Sequence, residues 1–319
     1  MPRITALCRA YVDLIVPISF DTLKEHGFLP GQDYLIPKEK IAELTAQYIN
    51  QGSIYAGGPG ANTIAGFKAL GGQASFIGKV SNDVLGQNFT KDLKQRDIEF
   101  DTAIIENDIT ASCVIFVMPN GTRTILYNPS IADDVTLEDI MRNEKHLKQS
   151  AIFYMGWLNR EQHCKKVTQK SVDLTTHAKR VSSLQSYGSR QNDDFSSISV
   201  ADIILGNEDE YGLFMADMKL DNLEELANVY PDKILACTLG KKGATIYHGA
   251  EKIDISAKET DKVLDTTGAG DAWAAGFLYG IAHNIPLEES GKLGAACAAE
   301  IITHQGGRPQ KSWAHLLPR

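Results

Sequence analysis

The run Asp265-Thr266-Thr267-Gly268-Ala269-Gly270-Asp271-Ala272-Trp273-Ala274-Ala275-Gly276-Phe277 joins a glycine-rich turn to an uncharged segment. Gly268 and Gly270 let the backbone turn tightly and keep Cβ atoms away from whatever lies opposite. From Asp271 to His283 there is no Lys, Arg or Glu and no further Asp. That stretch is too long for most strands and apolar on every side, so it predicts a helix buried all round over 268–282. The first-turn N–H groups of such a helix lack internal partners, and its macrodipole makes them electropositive. A glycine-lined helix start of this kind is a natural seat for phosphate oxygens, with the Asp271 carboxylate at its mouth. Taken alone, the segment reads equally well as a plain capped helix, because Asp is a preferred N-cap residue.

Working outward, the alternation of segments predicts an α/β fold with a mostly parallel central sheet and helices on both faces. Strands are expected at 4–7, 14–18, 74–80, 151–155, 181–184, 202–205, 234–237 and 244–247. Helices are expected after Asn62, at 83–96, 136–148, 161–179 and 287–303. Asn120-Gly121 between two β-rich runs, 113–118 and 124–127, signals a hairpin. The chain 1–319 reads as one domain, with segments at about 14–56 and 101–128 set apart as a small β lid. In an open parallel sheet, ligands gather beyond the carboxyl ends of the strands. Asp13, Gly57-Gly58, Asn207-Glu208-Asp209-Glu210, Thr238-Leu239-Gly240 and 265–271 all follow strand candidates, which predicts one shared site.

With 319 residues, 43% hydrophobic and 23% charged, the chain has ample material for a core. The net charge of -8, with no basic cluster, argues against nucleic acid as a partner. Cys8, Cys113, Cys164, Cys237 and Cys297 are scattered with no C-x-x-C, as expected of reduced thiols rather than a disulfide frame or zinc site. The N-terminus lacks a signal-peptide core, and no apolar run reaches ~18 residues. These features predict a soluble cytoplasmic protein without a membrane partner, with monomer and homodimer both open.

Gly57-Gly58-Pro59-Gly60-Ala61-Asn62 and the 265–271 run together resemble the two signatures of the ribokinase-like (PfkB) carbohydrate kinases. Asn207-Glu208-Asp209-Glu210 is similar to their N-x-x-E motif, and Thr238-Leu239-Gly240 to their nucleotide loop. No G-x-x-x-x-G-K-[ST] and no H-R-D set is present, and Gly58-x-Gly60 lacks the third glycine of a dinucleotide fingerprint. Within the family, Asp13-Leu14-Ile15-Val16, the stretch from Leu23 to Pro30, Tyr34-Leu35-Ile36 and Asn120-Gly121-Thr122-Arg123-Thr124 resemble the adenosine kinase subgroup.

The resemblance implies an ATP-dependent kinase that phosphorylates the 5′-hydroxyl of a purine nucleoside, adenosine first. The alternative is a sugar kinase of ribokinase or fructokinase type, and a third reading is a nucleotide sensor without turnover. It places Asp271 as general base, with Gly268, Ala269 and Gly270 as an amide cradle for the transferring oxygens. It assigns Asp13, Gly57, Gly58 and Asn62 to the acceptor's hydroxyls. Arg123 belongs to the transferring phosphate on lid closure, and Trp157 stacks on a base. Asn207, Thr238, Gly240 and Thr267 fall to the nucleotide, Glu210 to Mg²⁺, and Asp265 with Thr267 to a monovalent cation such as K⁺. A turn at Asp13, a helix cap at Asn62, a solvated helix start at Glu210 and a hairpin at Thr238 are the plain structural alternatives. Cys8-Arg9 stands where relatives carry Gly followed by Asn, Asp or Glu. Arg9 must therefore turn away or meet a different ligand group. The polar segment 182–189 lacks the acidic residue usual there and reads as loose.

Overall fold

The computed structural model describes residues 1–156, 162–185 and 196–318. Its strands, in chain order, are β1 (Arg3–Leu7), β2 (Tyr11–Pro17), β3 (Asp33–Leu35), β4 (Ser53–Gly57), β5 (Gln73–Ile77), β6 (Ser112–Val117) and β7 (Arg123–Asn128). They continue as β8 (Ile152–Met155), β9 (Lys179–Ser183), β10 (Ile203–Asn207), β11 (Ile234–Thr238), β12 (Ala244–His248) and β13 (Glu251–Ile255). Among the described residues these form two sheets. The larger has eight strands in the order β13-β12-β11-β10-β9-β8-β1-β5. From β5 to β11 every pairing is parallel, and β12 and β13 close the edge antiparallel.

Both faces of this sheet are covered, as its side chains show. Ile4, Ala6, Phe76, Tyr154 and Leu205 enter one core with Ile64, Phe67, Phe89, Phe277 and Leu293. Their strand neighbours point the other way. Leu7, Ile77, Phe153 and Met155 meet Ile140, Leu147 and Val167, while Ile204 and Leu235 meet Tyr211, Phe214 and Leu226. Burial on both faces is why these strands read as unbroken apolar runs rather than alternating ones. The fold is the expected α/β arrangement, with a large, mostly parallel sheet between helices.

The second sheet has five strands, in the order β3-β7-β6-β2-β4. One face is closed: Leu14, Val16, Val114, Phe116 and Leu126 pack on Leu23, Ile41, Leu44 and Tyr48 of the helices Phe20–Glu25 and Lys38–Tyr48. The other face, with Asp13, Ile15, Cys113, Ile115, Ile125 and Tyr127, is only half-buried.

Several expectations need correction. The strand expected at 14–18 starts at Tyr11, so Asp13 lies inside it rather than in a turn. The helix expected at 136–148 is two helices, Leu137–Arg142 and Glu144–Lys148, parted at Asn143. The buried Asn143 amide donates to the carbonyls of Asp101 and Asp139, and this side-chain bonding competes with helix continuation. The helix expected at 161–179 ends at Leu174. β13 carries Glu251, Lys252 and Asp254, and this polar edge sequence hid it. No helix among the described residues is long and apolar enough to cross a membrane.

Candidate active site

The uncharged run forms the helix Ala269–Ala282, buried from Ala272 through Gly280. Gly268 is its N-cap, with φ 76°, ψ 8°, a left-handed conformation that favours glycine. A Cβ at 268 would also lie 2.6 Å from the Gly307 Cα. Asp271 is therefore not the cap; it stands one turn in. Of the three cradle residues, Ala269 already gives its amide to the Thr266 carbonyl, at 3.2 Å. The amides of Gly270 and Asp271 have no hydrogen-bond partner among the described residues. A Cβ on Gly270 would meet nothing within 4 Å, so this part of the helix start borders open space.

Asp271 lines a cavity of about 90 Å³ together with Gln185, Asn207, Glu210, Thr238 and Gly270. Its carboxylate accepts a hydrogen bond from Asn62 Nδ2 at 2.9 Å. Burial pushes its pKa up to about 7, against the pull of the Asn62 and Gln185 side chains and of Arg308; the negative charge of Glu210 adds to the rise. A carboxyl so poised can take a proton at neutral pH. For the reaction proposed below, kcat/KM is expected to fall about tenfold per pH unit below pH 7, because protonated Asp271 cannot act as a base. A pH–rate profile of the free enzyme checks this, and a flat profile down to pH 5 contradicts it.

A wider cleft of about 510 Å³ adjoins the cavity and shares Thr238, Gly270 and Trp273 with it. Ala295, Ala298, Ala299 and Ile302 give it an apolar wall, while Thr238, Gly240 and Thr266 lie at its polar end. Thr238 and Gly240 do belong to a hairpin connection between β11 and β12, so the plain structural reading is met there. The same holds for Asn207 and Glu210, which cap the helix Glu208–Met218 reciprocally: each side chain accepts the other's backbone N–H at 2.9 Å. Burial raises the pKa of Glu210 despite that bond, and the Asp209 charge adds to the rise.

Asp13 projects from the half-buried face of the second sheet, directly across from Tyr55 on one side and Cys113 on the other. Burial pushes its carboxyl up to about 6, against a hydrogen bond from Cys113 and the charge of Arg308. Gly57 is where it is because a Cβ there would sit 2.6 Å from an Asp13 carboxylate oxygen. Gly58 caps the helix Pro59–Ala69, and Asn62 lies inside that helix, so the cap alternative for Asn62 fails. Neither end of its side-chain amide is free: Nδ2 reaches Asp271 and Oδ1 accepts from Arg308.

Arg123, on the β6–β7 hairpin, is an exposed side chain with fixed partners. It donates to Asp265 at 3.2 Å and to Thr267 Oγ1 at 3.1 Å, tying the second sheet to the glycine turn. Asp265 also accepts from the amides of Thr267 and Gly306 and from the Thr267 hydroxyl. Burial would raise its pKa, but these donors and Arg123 outweigh it and hold the carboxyl below its usual range. Arg9 turns to Asp133, with two contacts at 2.6 and 2.7 Å, the geometry of a fork-shaped pair. Trp157 and the stretch 186–189 of the segment expected to be loose lie outside the described residues.

Sequence reasoning missed Arg308. It is buried, and it bonds Asn62, the carbonyl of Gly57 and the carboxylate of Asp92. The only signal was Gly306-Gly307 ahead of a basic residue, which by itself points nowhere.

A family model described as pfkB family carbohydrate kinase matches residues 32–314. The chain is 28% identical over 244 residues to an uncharacterized sugar kinase of Archaeoglobus fulgidus, spanning 76% of this chain and 96% of that protein. Its structure is similar to that of an adenosine kinase from Sinorhizobium meliloti, with a TM-score of 0.81, 28% identity and 98% of each chain covered. A probable sugar kinase from Rhizobium etli is as similar, with a TM-score of 0.82, 28% identity, and 98% and 96% of the two chains covered.

Proposed function

The chain belongs to the pfkB family of carbohydrate kinases, and from that premise we propose that it moves the γ-phosphate of ATP onto the 5′-hydroxyl of a purine nucleoside, adenosine first. It is a phosphotransferase with a sugar or nucleoside hydroxyl as acceptor. The observation that favours a nucleoside is the surface around Asp13. Tyr55, Asp13, Cys113 and Tyr127 stand in register across four strands, and Ile15, Ile115 and Ile125 form the next row. A half-exposed aromatic and aliphatic floor suits the flat face of a base, while the carboxylate within it suits the hydroxyls of a ribose.

Each residue then has a task. Asp271 takes the proton of the attacking hydroxyl, and the free amides of Gly270 and Asp271 hold the oxygens of the moving phosphoryl group. The cleft walled by Ala295, Ala298 and Ile302 receives the nucleotide's ring, with Thr238 and Gly240 toward its phosphates. Among the described residues no group of three or more His, Cys, Asp or Glu side chains is placed to hold a metal. This fits Mg²⁺ arriving on the nucleotide with most of its water, Glu210 being the carboxylate beside it. Bound there, Mg²⁺ supplies charge neutralisation. A monovalent cation at Asp265 would have to share the carboxylate with Arg123. The Arg123 contacts make the second sheet a lid latched over the glycine turn.

The sugar-kinase reading is supported by the two sugar kinases to which the chain is similar and by the surroundings of Arg9. Where the resemblance to adenosine kinases implies an Asn on the nucleoside, Arg9 stands instead and is paired with Asp133. A coupled assay of ADP release with adenosine, inosine, guanosine, ribose and fructose separates the readings. Turnover with a nucleoside and none with free sugars is expected; turnover with ribose or fructose alone overturns the nucleoside assignment.

A further inference from the structure

Arg308 is a buried cation that lines neither of the two cavities at Asp271, yet it lies one side chain from the proposed base. Only 6% of it is exposed. Its Nε donates to Asn62 Oδ1 at 3.1 Å, and its terminal nitrogens serve the Gly57 carbonyl at 2.8 Å and the Asp92 carboxylate. Asp92 is braced from the other side by Arg96, at 3.0 Å. The Phe89 ring lies against the guanidinium, 5.2 Å away. Each of the three guanidinium nitrogens has a partner.

We infer that Arg308 is the positioning residue for Asp271, acting through the side-chain amide of Asn62. This rests on Asp271 being the base. The argument is one of donors and acceptors. A guanidinium offers only hydrogens, so the amide must turn its oxygen toward Arg308. The NH₂ end is then committed to the opposite side, where Asp271 waits at 2.9 Å. Gly307 closes the remaining space, since a Cβ there would lie 2.9 Å from Asn62 Nδ2. The amide thus presents a hydrogen to the carboxylate in every turnover, and the carboxylate is held in one orientation before substrate arrives. Without Arg308 the amide is free to flip. Its oxygen would then face the carboxylate, an arrangement that is tolerable only when Asp271 carries a proton.

The other ionisable groups facing Asp271 are Glu210, the Cys8 thiol and the Tyr154 phenol. Burial holds the thiol and the phenol neutral at neutral pH. Loss of Arg308 therefore moves the acid limb of the pH–rate profile in one direction, upward. Arg308→Met is expected to shift that limb by about one pH unit, a loss of roughly tenfold in kcat/KM at pH 6 that largely recovers by pH 9.

A cycle with Asn62→Ala tells the amide's part from a through-space effect of the charge. If Arg308 works through the amide, Arg308→Met adds a clearly smaller shift once Asn62 is Ala, leaving only what its charge exerts through space. An equal shift in both backgrounds, or an unmoved limb with a uniform drop at every pH, overturns the inference. Should Arg308→Met alone leave Asp92 too poorly paired to fold, the cycle is run with Asp92→Asn in all members, which removes that half-buried charge. Asp271→Asn is the separate arm: if it keeps parental turnover, the assignment of the base has failed. If it is inactive while the Arg308 limb stays put, only the positioning role has failed.

Discussion

Replacing Asp271 by Asn is expected to cut ADP release by about 10²–10⁴-fold, the usual share of a positioned general base. ATP affinity should change little. The amides of Gly270 and the residue at 271 remain at the helix start, and the wider cleft loses nothing, because its walls come from Ala295, Ala298, Ala299 and Ile302. The substitution is nearly isosteric, and Asn62 can still donate to the new amide oxygen. What disappears is the capacity to accept a proton from the acceptor. Steady-state ADP release and nucleotide titration on the same preparation measure the two halves. A variant as fast as the parent would remove Asp271 from the chemistry, and a large loss of ATP binding would make its role one of nucleotide binding.

Gly268→Ala is expected to lower stability and turnover together. A side chain at φ 76° pays about 1–2 kcal/mol for the left-handed conformation. Its Cβ would also press on the Gly307 backbone, 2.6 Å from Cα and 2.9 Å from the carbonyl oxygen. Backbone cannot rotate aside as a side chain can. The helix start and the 306–308 loop must separate, and that loop holds Asp265 through the Gly306 amide and Asn62 through Arg308. A fall in Tm of roughly 2–6 °C is expected. Turnover should drop by about 10²-fold as the amide donors move off their target. Parental melting and parental rates would show that the loop does not fix the helix start.

Much of this architecture is legible in the chain itself, for particular reasons. The helix at 269–282 announces itself because total burial demands an uncharged run, and the hairpin at 120–121 because Asn-Gly suits few other turns. The amphipathic helix Val84–Gln95, with Leu85, Phe89 and Leu93 inward, follows from its spacing. Where the reading slipped, tertiary contacts outweighed local pattern. Asn143 breaks a helix that composition would continue, because two carbonyls brought in by the fold claim its amide. β13 pairs at a solvent-facing edge, where apolar content is not required.

The amino-acid order alone determined which segments become strands and buried helices, and it put Asn207 and Thr238 at the carboxyl ends of the neighbouring strands β10 and β11. It does so because hydrophobic periodicity and turn chemistry are local properties, written within a few residues of where they act. Only the tertiary structure decided how the polar groups pair: Arg123 on Asp265, Arg9 on Asp133, and Asn62 held between Arg308 and Asp271, partners 246 and 209 positions away along the chain. Pairing at such range depends on which backbone segments the packed core sets side by side. Hydrogen bonds and ion pairs are short-ranged and directional, so a charge in the sequence does not disclose the partner that will orient it.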